Sequence, residues 1–177
     1  MYKRLIAVLN ACFIALLSGK SVVSKSKGHS CKDPVGIQTG FLETRDIKTS
    51  SSQLNFTATD AWCPSISNDK QYFAVDLGEE FSISKIATEG KLDTGRYVKL
   101  YTLDYSSDAK KWTEYRDIMG KADIDGNKNV YELASRDLAP AIVARYIKLK
   151  PKEWNEGICA RTELYGCPVE ELKSGRK

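Results

Sequence analysis

Residues 72–87 read YFAVDLGEEFSISKIA, and their alternation decides the fold class. Phe73, Val75 and Leu77 fall on one face of an extended chain. After a Gly-Glu-Glu turn, Phe81 and Ile83 alternate with Ser82 and Ser84. A period of two marks a half-buried strand, because successive side chains point to opposite faces of a sheet. Two short strands, 72–78 and 81–87, are expected around one turn.

The same pattern recurs on both sides. VKLYTLDYS (98–106) and WTEYRD (112–117) flank the polar turn SDAKK and read as a hairpin. VYELA (130–134), ARYIKLK (144–150) and CARTELYG (159–166) read as three further strands. No stretch carries the apolar spacing of a three-turn amphipathic helix. Short strands with turn signals roughly every 8–12 residues predict an all-β sandwich or barrel.

The chain has 177 residues, enough for one domain with its own core. Residues 1–19 read as a secretory signal: Lys3 and Arg4, an apolar run from Leu5 to Leu17, then Ser18 and Gly19. That run is shorter than the roughly 20 residues of a membrane span and is interrupted by Asn10. Residues 20–30 read as a loose polar leader and 168–177 as a polar tail. The domain is expected between Cys31 and Cys167.

Without Lys3 and Arg4, 25 of the 27 basic residues remain against 23 acidic ones, a net charge of about +2. No basic run stands out, so nucleic acid is not an expected partner. Without Cys12, four of the five cysteines remain, which in an exported chain suggests two disulfides. Zinc is disfavoured, since there is no Cys-x-x-Cys pair and the single histidine is His29. Four cysteines allow three pairings. A bond from Cys31 to Cys167 would close a loop worth about 4–5 kcal/mol in the chain-entropy model.

Catalysis is not expected. His29 lies outside the domain, so a Ser-His-Asp or Cys-His site has no base there. Bonded cysteines are not nucleophiles, and Glu79-Glu80 sits in a turn where solvated carboxylates are ordinary.

CKDPVGIQTG, DIKTSSSQ, DAWCP, YFAVDLGEEFSISKIATEG, YTLDYSSDAKKW, LAPAIVARYIKLKP and GICARTELYGC follow one another along residues 31–167. Together they resemble the discoidin domain, also called the coagulation factor V/VIII type C domain. The resemblance implies an antiparallel, jelly-roll-like sandwich of about eight strands. It also implies a Cys31–Cys167 disulfide joining the ends. The Cys63–Cys159 pairing resembles that of the discoidin-domain receptors. Family members bind collagen, other matrix and receptor proteins, glycans or phosphatidylserine membranes through loops at one end of the sandwich. Here those loops are expected at about 50–62, 89–97, 119–129 and 152–158.

The loops carry the candidate site residues. Leu54 and Phe56 are apolar tips that either insert among lipids, at roughly 1.5–3 kcal/mol each when fully buried, or pack beneath their loop. Asn55 opens the sequon Asn55-Phe56-Thr57, and a glycan there would oppose insertion. Lys91 and Arg96, with no acidic run nearby, either grip an anionic partner or form an ordinary solvated rim. Trp154, followed by Asn155, either stacks on a sugar or caps the sandwich. Asp123, Asp125 and Asn127 have EF-hand-like spacing, but Lys128 and Ala134 stand where Gly and Glu are required. A plain turn is expected there, with no metal or cofactor. In the collagen-binding receptors of the family, a tryptophan, an arginine, an acid and an asparagine fall at positions that align with Leu54, Lys91, Arg96 and Gly157. That mismatch argues against collagen binding in their manner.

These readings predict a secreted, non-catalytic adhesion or recognition module for an extracellular glycan or a matrix or cell-surface protein. The alternatives are a protein that binds anionic phospholipid and a structural component of the extracellular matrix.

Overall fold

The alternation at 72–87 runs through one long strand. The computed structural model describes residues 31–43, 46–53 and 56–174; the expected signal and leader, His29, Leu54 and Asn55 lie outside them. Strand β2 spans Phe73–Glu89 and breaks register between Asp76 and Phe81. Gly78 sits at that break with φ 80°, which a residue without Cβ adopts readily. The first half of β2 pairs with β1 (Ile47–Thr49) and the second half of β6 (Ala134–Asn155). The second half pairs with β7 (Arg161–Pro168) and the first half of β6. β6 crosses with β2 between Ala144 and Tyr146, and a second register shift opposite Ile83–Lys85 holds the cis Ala139–Pro140 bond.

These two bent strands divide the pairings into two layers. β3 (Tyr97–Ser106) extends the first layer beyond β6 and pairs with both β4 (Thr113–Glu114) and β5 (Ile124–Asp125). All pairings are antiparallel. Phe73, Val75, Leu103, Ile147 and Leu149 from the first layer meet Ile83, Ile86, Leu138, Ile142 and Leu164 from the second in one core. Trp62 is fully buried among them.

The all-β architecture matches the sequence expectation, and among the described residues it has seven strands. The expected strands 72–78 and 81–87 are the halves of β2, and 144–150 belongs to β6. VYELA is not a strand before Ala134. The Asn129 carboxamide accepts the Tyr131 amide and the Glu132 carboxylate accepts that of Lys128, closing a turn that leaves Tyr131 exposed.

Disulfides join Cys31 to Cys167 and Cys63 to Cys159. The buried Glu163 carboxylate accepts the amides of Gly36, Ile37 and Gln38, fastening the start of the domain to β7. Beyond Pro168 the expected polar tail begins as a short helix, α1 (Val169–Ser174), with Glu170 and Glu171 favourably placed in its first turn. Among the described residues no helix is long and apolar enough to cross a membrane.

Candidate functional site: the loop rim

Three loops meet where β2 ends and β3 begins. The turn between these strands closes through the Lys91 amide, which donates to the Arg96 carbonyl at 2.9 Å. A Cβ on Gly90 would come within 2.8 Å of that carbonyl, so the closure needs glycine. From the first loop Asp60 reaches Lys91, with Oδ2 and Nζ 3.6 Å apart. From the last loop the Asn155 carboxamide donates to the Gly95 carbonyl at 3.2 Å, and Arg96 lies against Gly157. The base of the first loop is fixed by Trp62, whose indole donates to the Ser51 carbonyl and whose amide donates to Ala160. The Cys63–Cys159 bond sits beside it.

The expected third loop divides. β6 leaves the rim at Ala134 and returns at Asn155, passing between layers at Ala144–Tyr146 opposite the break in β2, which marks the far end of the sandwich. The Ile118 amide donates to the Ala139 carbonyl, placing the start of the third loop away from the rim. Residues 126 and 127 instead run beside β3, where the Gly126 and Asn127 amides donate to Lys99 and Val98. Asn127 is buried and bonded to Thr88 and Glu132, while Asp123 pairs with Lys152. These side chains are engaged within the protein, and Ile124–Asp125 form β5 in place of the expected plain turn. Among the described residues no three His, Cys, Asp or Glu side chains form a metal-holding group.

Lys91 and Arg96 come together at the rim, but Lys91 has an acidic partner that the sequence did not suggest. Asp60 lies 31 positions upstream and arrives only through the fold of the first loop. With Asp60 about half exposed, the pair contributes roughly 0–1 kcal/mol, so a ligand can displace it. Phe56 is half-buried and packs against the core, which removes it as a free apolar tip. Trp154 likewise packs against the core, opposite Val98, and caps the first layer. Leu92, at the tip of the second loop, is an exposed apolar side chain, 57% exposed. A lone apolar residue in the polar turn EGKLDTG was the available signal. Asp60, Lys91, Leu92, Asp93 and Arg161 border a shallow hollow of about 230 Å³, with Arg161 also paired to Glu89. The rim therefore offers cationic donors and carboxylate acceptors within one small area.

The model of the F5/8 type C domain matches residues 46–164. This chain belongs to the F5/8 type C domain family. Coagulation factor V from Bos taurus is 32% identical over 160 residues, covering 80% of this chain and 7% of that protein. Neuropilin-2 from Rattus norvegicus is 30% identical over 155 residues, covering 80% of this chain and 17% of that protein. The F5/8 type C chain thus spans a small part of these relatives. Recombinant discoidin II of Dictyostelium discoideum superposes with a TM-score of 0.64 at 23% identity, covering 77% of this chain and 60% of that one. The family 32 CBM from C. perfringens NanJ, in complex with galactose, superposes at 0.59 and 15% identity, covering 76% and 98%. At these identities the likeness is one of fold.

Proposed function

We propose that this F5/8 type C domain is a secreted, non-catalytic recognition module. It binds an extracellular glycan or a matrix or cell-surface protein through Asp60, Lys91, Arg96 and Asn155 at the loop rim, after removal of residues 1–19. The observation that carries this reading is the convergence of three loops that brings those four residues to one rim, where Asp60 and Lys91 border its hollow. Ammonium and guanidinium groups donate to acidic or hydroxyl oxygens, and Asp60 and Asp93 accept from hydroxyls or cations. A rigid sandwich carrying such loops is a common way to build a binding end. Modules of this fold include one in complex with galactose, which is consistent with a glycan ligand.

Binding to anionic phospholipid is the second reading, favoured by exposed Leu92 beside Lys91. Packing of Phe56 against the core leaves Leu92 as the single exposed large apolar side chain among the described residues bordering the hollow, a small anchor for a bilayer. A glycan and matrix-protein array run alongside phosphatidylserine liposomes separates the two. Array binding without liposome capture supports the first reading, and the reverse supports the second.

A further inference from the structure

A second hollow, of about 220 Å³, lies on the outer face of the first layer. Its floor is Ala74, and strand register sets Lys48 of β1 and Lys148 of β6 directly on either side. Adjacent strands are about 4.8 Å apart, so the two lysines stand two strand spacings from each other on one face. Tyr72, Tyr146 and Trp112 form the walls.

Trp112 is held by a built turn. The Ser106 hydroxyl accepts the amides of Asp108 and Ala109, and the Asp108 carboxylate accepts those of Lys110 and Lys111. The indole N–H donates to the Ala109 carbonyl at 3.2 Å. This leaves the ring over Lys148, with Nζ 3.5 Å from its centroid and 5.2 Å from that of Tyr72.

The charges around this hollow are unequally satisfied. Asp76 is held by Arg145 through two hydrogen bonds, Asp46 accepts the Glu43 amide, and neighbouring Asp104 pairs with Lys150. Neither Lys48 nor Lys148 has a carboxylate or carbonyl partner among the described residues. Burial pulls the Lys148 ammonium below its ordinary pKa, against the opposing attraction of Asp104, which lies opposite it on β3.

We propose that this hollow is a second binding site, separate from the rim, for an acidic saccharide residue: a pyranose ring against the aromatic walls with its carboxylate or sulfate between Lys48 and Lys148. Aromatic faces take the apolar side of a sugar ring, and paired ammonium groups supply its counter-charge. The volume lies below the roughly 300–1,000 Å³ of clefts for drug-sized ligands, which suits one ring of a longer chain. None of the residues bordering the hollow is an exposed large apolar side chain that a bilayer would take up. Two local lysines are compatible with a protein of low net charge.

The test titrates the full chain with heparin-derived and hyaluronan-derived oligosaccharides, with neutral chitotriose as control, following the Trp112 indole N–H resonance. At least one acidic sugar should shift that resonance saturably, while chitotriose should not. Lys48→Gln and Lys148→Gln should each weaken binding by about tenfold or more, and Lys91→Gln with Arg96→Gln should leave the Trp112 response intact. An unmoved Trp112 resonance, an equal shift with chitotriose, or binding indifferent to both hollow lysines would overturn the proposal. Should Lys148→Gln disturb the Trp112 turn, exposed Lys48 still decides the question.

Discussion

Arg96 lies against Gly157 so closely that a Cβ at 157 would meet its Cδ at 2.9 Å and its Nε at 3.0 Å. The second and last loops of the rim thus fit together through a missing side chain. In Gly157→Ala the flexible end of Arg96 can swing away, so stability should change by no more than about 1 kcal/mol. The guanidinium would leave its place, and affinity for the rim ligand should fall about tenfold, the loss of one charged hydrogen bond. Thermal melts together with binding isotherms check both halves.

Asn127 makes the polar connection between residues 123–128 and β2. Its carboxamide accepts from the Thr88 hydroxyl at 2.9 Å and donates to the Thr88 and Glu132 carbonyls. Asn127→Ala leaves those buried groups unpaired and should cost about 1–3 kcal/mol, read as a lower urea midpoint with an unchanged slope.

The two disulfides should separate stability from binding. Cys31–Cys167 closes 136 residues and lies away from the rim, since Cys167 stands opposite Ser82. Cys63–Cys159 closes 96 residues beneath the rim, beside Trp62. Replacing either pair by serine should cost up to about 4–5 kcal/mol. Only the second replacement should also weaken rim binding when measured at a temperature where both variants remain folded.

Acid should loosen the outer face of the first layer. Asp76 is held below its ordinary value of 3.8 chiefly by the Arg145 hydrogen bond, and Asp108 chiefly by the Lys111 and Lys110 amides. A folded-state pKa below the unfolded one means the stabilisation is complete above the unfolded value and is lost as pH falls through the folded one. Their contribution should therefore hold from neutrality down to about pH 4 and decline below it. The Trp112 resonance should report that decline, and Asp108→Asn should flatten it.

The β pattern was legible because burial on one face enforces a period of two, as Phe73, Val75 and Leu77 display. The continuity of β2 was not, since Glu79 and Glu80 resemble a loop whether the chain ends a strand or bends between layers. VYELA has strand-forming residues, but backbone bonds to Asn129 and Glu132 close it as a turn. Lys91 and Arg96 could be placed at one rim through the family resemblance. The Asp60 partner and the packing of Phe56 depend on how separate loops fold over one another, which local spacing does not encode. The hollow between Lys48 and Lys148 is a product of register across three strands, and no contiguous motif announces it.

In the proposed function the rim recognises its partner by charge and hydrogen bonding. The most direct test compares Lys91→Ala/Arg96→Ala with Leu92→Ser, each assayed against the glycan or protein ligand from the array and against phosphatidylserine liposomes. Losing the two cations should weaken ligand binding by about 1.5–3 kcal/mol per charged hydrogen bond, raised salt should mimic this loss, and Leu92→Ser should change little. Binding that survives loss of both cations and salt, yet collapses with Leu92→Ser on liposomes, would contradict this reading.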